Sequence, residues 1–186
     1  IKQGATVSND PTDENKVRAV CSNLILEGVY FYSGFLVFYT VGRSTGKIPG
    51  MVDGIKYIQR DEVTHVEIFK MIYLSLRQEQ PQLFTPELLE SLRQLFRQAV
   101  ELEYAWGCYV IEEGLLGLTP QILRGFLEHR AKLIADMIGL SDVFPDAKNT
   151  VPWFDSFSAI NNGQTNFFEG KPQTYSHRKP TFTRRG

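Results

Sequence analysis

The sequence predicts an all-α helical bundle, and three observations carry that expectation. Apolar residues recur at helical rather than alternating spacing along most of the chain. Thr85-Pro86 and Thr119-Pro120 are helix-start signals, a capping hydroxyl followed by proline at the first helical position. Glycine and proline cluster only in short stretches between the periodic segments. A chain of 186 residues is the size of one domain, 42% apolar and 22% charged, which excludes a disordered protein.

The first helix is expected from about Glu14 to Thr40, after the cap-like run Asn9-Asp10-Pro11-Thr12-Asp13. Gly42 to Gly54 reads as a loop, with room for a helical start. A second helix is expected from about Val52 to Arg77, stopping before Pro81. The third should run from the Thr85 cap to about Glu113, and the fourth from Thr119-Pro120 to near Gly139. This divides the chain into a polar leader (1–13), a helical bundle portion (14–141) and an irregular C-terminal region with a basic tail (142–186). Lys171 to Gly186 hold five Lys or Arg and no acid, which reads as a solvated, mobile tail.

Charge and cysteine content narrow the function. A formal charge of −1 gives no general attraction to nucleic acid. Two cysteines, Cys21 and Cys108, make neither a disulfide framework nor a zinc knuckle, so a reducing, cytoplasmic setting is expected. No signal peptide is read in Ile1 to Lys16. From Ala19 to Gly42 the one charge is Glu27, close to the length a bilayer needs. Ser22, Asn23, Tyr30, Tyr32, Ser33, Tyr39 and Thr40 make a buried soluble helix the preferred reading and a membrane span the alternative.

Three residues carry the chemistry. Glu27 lies on the apolar stripe Val20, Leu24, Phe31, Phe35, Phe38 of the first helix. Glu62 and His65, at i, i+3, share a face with Ile55, Ile58, Phe69 and Ile72 on the second. A buried carboxylate must find a cation or take up a proton. A glutamate on one helix facing Glu-x-x-His on another is half of a dinuclear carboxylate metal constellation. Spacing alone leaves a salt-bridged pair, and a hydrogen-bonded core Glu27, equally open. Glu67, Glu101, Glu103, Glu112 and Glu113 are read as exposed helix-face charges.

The local sequence goes further. Leu26-Glu27-Gly28-Val29-Tyr30-Phe31-Tyr32-Ser33-Gly34-Phe35, followed by Arg60-Asp61-Glu62-Val63-Thr64-His65, resembles the radical-generating small (beta) subunit of class I ribonucleotide reductase. Glu113-Gly114-Leu115-Leu116-Gly117-Leu118 and Asn166-Phe167-Phe168-Glu169, with Tyr175 beyond, extend the likeness from about Val17 to Tyr175. The resemblance implies a ferritin-like bundle, a dimer, and a dinuclear iron or manganese centre with Glu27, Glu62 and His65 as ligands. Phe31, Phe35 and Ile58 would then line a dry pocket around the radical. Asp61 would couple the site to a radical-transfer path, and Tyr175 would relay the radical to the large catalytic subunit. For Tyr175 an ordinary tail tyrosine is the alternative.

The family's beta subunit is roughly twice as long, and its N-terminal half normally supplies an aspartate, a second Glu-x-x-His, the radical tyrosine where there is one and the relay tryptophan; no second Glu-x-x-His occurs in this sequence. The chain is therefore expected to hold half of the centre and to be completed by an N-terminal half, as a separate chain or a missing region. Two other readings stand beside this one: a ferritin-like di-metal oxidase acting on a bound ligand, and a non-catalytic helical assembly or metal-binding subunit. Radical transfer through Asp61 and Tyr175 favours the first over the oxidase.

Overall fold

The computed structural model describes residues 13–158. They form six helices: α1 (Asp13–Gly28), α2 (Tyr32–Thr45), α3 (Pro49–Glu79), α4 (Pro86–Ile111), α5 (Pro120–Met137) and the short α6 (Phe154–Ser158). A single 3-10 turn, Pro81–Leu83, separates α3 from α4. No strand occurs among the described residues. The leader before Asp13, the basic tail and Tyr175 lie outside them.

The helix starts follow the sequence signals closely. The Thr85 hydroxyl accepts the Leu88 N–H at 3.2 Å, and the Thr119 hydroxyl accepts the Ile122 N–H at 3.3 Å. Each satisfies one of the orphan amides of a helix's first turn, with proline occupying the next position. Asp13 and Glu14 place negative charge at the N-terminus of α1, where the helix dipole favours it. Between α4 and α5 the chain reverses tightly. Leu115 and Leu118 exchange backbone hydrogen bonds of 2.9 and 2.8 Å, while Gly117 takes the left-handed φ of 90° that a side chain would resist.

Three expectations change. The predicted first helix is two helices, because the chain breaks at Val29–Phe31 and then continues to Thr45. The loop expected over Gly42 to Gly54 shrinks to residues 46–48, as α3 starts already at Pro49. The face of α3 that packs inward is rotated from the one expected. Val52, Gln59, Val66 and Tyr73 are buried and Ile55 and Phe69 pack half-buried against the core, as expected of those two, whereas Ile58 and Ile72 remain 48% and 40% exposed. The stripe at Met51, Ile58, His65 and Ile72 runs along the edge of this packing at heptad spacing and faces outward.

The core forms where α1 lies along α3 and α4 along α5, with α1 and α2 bridging the two pairs. Leu24, Leu36, Leu92, Phe96, Leu123 and Leu127 are fully enclosed. Phe154 of α6 closes one end, its ring 4.8 Å from Phe126, 5.4 Å from Tyr39 and 6.0 Å from Tyr32. The apolar stretch Asp13–Thr45 has the length and composition to cross a bilayer, but 56% of its most apolar window is buried inside this bundle. Its break at 29–31 interrupts the rod as well.

Candidate metal centre

Glu27 stands at the C-terminal end of α1, and Glu62 and His65 stand near the middle of α3. The close packing of α1 on α3 brings them together. One donor atom from each lies within 4.8 Å of the other two. His65 Nδ1 is 2.9 Å from a Glu62 carboxylate oxygen and 3.4 Å from one of Glu27. Both carboxylates are largely enclosed, at 17% and 16% side-chain exposure, while the imidazole is 48% exposed.

The electrostatics follow from that enclosure. Burial pushes the Glu27 carboxyl up to about 7, and its hydrogen bond with Glu62 and the nearby Glu62 charge push the same way; His65 opposes them. The His65 imidazole is raised, chiefly by its hydrogen bond to Glu62. Two carboxylates this close repel one another, and protons held on Glu27 and His65 relieve that repulsion. A divalent cation at their centre would replace those protons and neutralise both carboxylates. The donor set, two oxygens and one imidazole nitrogen, suits a divalent transition metal.

The remaining predicted site residues are distributed unevenly. Phe35 is buried at 5% exposure, edge-on to Tyr32 with ring centroids 5.3 Å apart. Phe31 and Ile58 are 46% and 48% exposed, so the described residues enclose one of the three expected pocket walls. Phe31, the residue just before α2, also adopts a left-handed φ of 71°. Asp61 points to solvent, 64% exposed and 3.6 Å from Arg60.

Glu103 corrects the sequence reading. It was expected on an exposed helix face with Glu101, Glu112 and Glu113, which are indeed exposed. Glu103 is instead 6% exposed and accepts hydrogen bonds from the Ser33 hydroxyl and, at 3.2 Å, from the Ser33 N–H. Burial raises its carboxyl, and the bonds from Ser33 and from the Phe31 backbone hold it down. The signal was present: the buried stripe Leu92, Phe96, Ala99/Val100, Gly107, Ile111 of α4 passes through position 103 at helical spacing. Arg130 was not singled out either. Its Nε donates to the Gly28 carbonyl at 3.1 Å, and its guanidinium lies 3.9 Å over the Tyr32 ring.

A helical bundle with a carboxylate-and-histidine cluster between two facing helices is the class that fold and site define. The chain belongs to the ribonucleotide reductase small chain family, whose model matches residues 2–152. It is 34% identical over 175 residues to the ribonucleoside-diphosphate reductase subunit beta of Treponema pallidum, covering 90% of this chain and 50% of that protein. The corresponding subunit of Halalkalibacterium halodurans is 31% identical over 169 residues, covering 90% and 49%. Among solved structures, the ribonucleotide reductase R2 subunit from Clostridium botulinum superimposes with a TM-score of 0.78 at 40% identity, covering 83% of this chain and 49% of that one. The fold is accordingly ferritin-like. The chain spans about half the length of the curated relatives it matches.

Proposed function

We propose that this chain supplies half of the dinuclear metal centre of a ribonucleoside-diphosphate reductase small subunit, with Glu27, Glu62 and His65 as its ligands. The observation that carries this reading is the convergence of the three donor atoms within 4.8 Å of one another. When bound, the iron or manganese pair would supply the oxidising equivalent on which deoxyribonucleotide synthesis depends. The protein's own part is to hold two carboxylates and an imidazole at one point, enclosed by α1 and α3, and to keep water from the oxidant. On this reading Phe35, buried at 5% exposure, belongs to the wall that keeps water out.

One histidine and two carboxylates leave two metal ions short of ligands, so further donors must come from elsewhere. Helices carrying an aspartate and a second Glu-x-x-His would fit, whether from another chain or from a further region of the same one. Exposed apolar residues at the start of α2 and on α3 and α4 support this. Phe31, Ile58, Ile72, Leu102 and Trp106 are between 40% and 60% exposed, and helices that covered them would gain their apolar area. Covering them would make Phe31 and Ile58 the pocket walls that dryness requires. Asp61 and Tyr175 then belong to the exit path towards a large catalytic subunit, and the completed small subunit would form a dimer.

Metal analysis and electron paramagnetic resonance of the purified complex test the reading. Glu62→Ala and His65→Ala should each remove most of the bound metal, with circular dichroism unchanged. Full metal loading in both variants would refute it.

A further inference from the structure

The break between α1 and α2 is not required by the core. Buried positions Cys21, Leu24, Ile25 and Gly28 continue across it as Tyr32, Phe35, Leu36 and Tyr39, at unbroken helical spacing. A continuous helix would bury the same stripe without the left-handed Phe31. What the break alters is local, starting two residues after Glu27.

Two charged side chains from other helices hold it. On the α1 side, Arg130 of α5 donates to the carbonyl of Gly28, where the helix ends and its dipole is negative. The same guanidinium stacks on Tyr32, the first residue of α2, so one side chain grips both ends of the break. On the α2 side, Glu103 of α4 takes the Ser33 N–H and hydroxyl and the Phe31 N–H, where the dipole is positive. Gly107, one turn beyond Glu103, brings the α4 backbone close; a Cβ there would stand 3.3 Å from the Ser33 Cβ. Each charge has the sign its helix end favours, and each serves backbone groups that the break itself leaves without helical partners.

We propose that Glu103 and Arg130 are positioning residues for the metal centre: they fix the break at 29–31, and through it the direction from which Glu27 enters the cluster with Glu62 and His65. This rests on the reading of Glu27 as a ligand. Backbone strain retained beside a site, against the preference of the core, is what such a role leaves in a structure.

The test uses the full chain with Glu103→Leu and Glu103→Gln, the second keeping an acceptor oxygen for Ser33. Amide hydrogen exchange is measured without metal, and Mn²⁺ binding is measured by electron paramagnetic resonance titration. In Glu103→Leu the Phe31 and Ser33 amides should exchange roughly tenfold faster, with those of Leu92 and Phe96 unchanged. Mn²⁺ affinity should fall about tenfold, the low end for removing an outer support of a metal site. Glu103→Gln should stay within about threefold on both readouts. Unchanged exchange in Glu103→Leu would overturn the capping role. Faster exchange with unchanged Mn²⁺ binding would overturn the positioning role. Glu27→Ala is the control: if it leaves Mn²⁺ binding intact, the ligand reading fails and takes this proposal with it, while the exchange data still report on the break.

Discussion

Phe31 and Phe35 sit one helical turn apart, and truncating them should have very different consequences. Phe35 is 5% exposed and packs edge-on against Tyr32, so Phe35→Ala removes a full aromatic contact and leaves a cavity costing about 3–5 kcal/mol. Phe31 is 46% exposed, so roughly half its burial energy is realised, about 1 kcal/mol. Its backbone adds a second effect. At φ 71° a non-glycine residue is held against a penalty of about 1–2 kcal/mol that alanine keeps and glycine escapes. Phe31→Ala should therefore destabilise the chain by about 1 kcal/mol, and Phe31→Gly should come out within about 1 kcal/mol of the parent. Urea unfolding followed by circular dichroism measures both. A loss near that of Phe35→Ala in the chain alone would mean that the Phe31 ring is not at the surface. Repeating the measurement in the completed small subunit tests the pocket: covering helices should raise the cost of Phe31→Ala towards the Phe35 value. No increase on completion would refute its place in the wall of a dry site.

Three other outcomes follow from the geometry. Gly107→Ala would put a Cβ 2.7 Å from a Leu123 methyl, and overpacking of about 1–3 kcal/mol should outweigh the roughly 1 kcal/mol alanine gains in a helix, a net loss visible as a lower melting temperature. Thr119→Ala should cost about 1 kcal/mol by freeing the Ile122 amide, and Thr119→Ser should restore it in the same melts. Without metal, the Glu27 carboxyl keeps its proton up to about 7 in the folded chain against an ordinary 4.5. The folded state therefore binds the extra proton, and this stabilisation is complete below the ordinary value and lost as pH rises through about 7; the raised His65 acts with the same sign. Melting temperature should fall across that window without metal, while the rise on adding Mn²⁺ should grow with pH, since binding displaces those protons. A metal-induced shift that shrinks with rising pH would contradict the cluster's protonation.

The helix order was legible because its signals are local. Thr85-Pro86 and Thr119-Pro120 specify helix starts through one hydroxyl and one ring each, whatever the rest of the chain does. Glu27, Glu62 and His65 were legible for a different reason: a carboxylate on an apolar stripe is costly, and two helices carried such residues. The break at 29–31 was not legible, because no proline or polar cap marks it and the apolar spacing runs through it undisturbed. Its causes, Glu103 and Arg130, lie 70 and 102 residues from the backbone groups they bind. Local sequence holds no record of a cap supplied at that distance.

The half of the α3 face that was misread, Ile58 and Ile72, carries the larger lesson. Two neighbouring seams of this helix are apolar at heptad spacing, one through Val52, Val66 and Tyr73 and one through Met51, Ile58 and Ile72. Periodicity shows that such a helix is apolar on more than one side but not which side the rest of the chain will cover. The inner seam contains Gln59, a polar residue that a purely apolar reading passes over, and the Tyr39 hydroxyl donates to it at 2.6 Å, which is how it is accommodated. The outer seam contains His65, half-exposed beside two enclosed carboxylates. A helix that is apolar on two sides has surface to bury on both. The described residues cover the inner seam, and on the proposed function further helices cover the outer seam on which the imidazole stands, completing the metal site and the core in the same step.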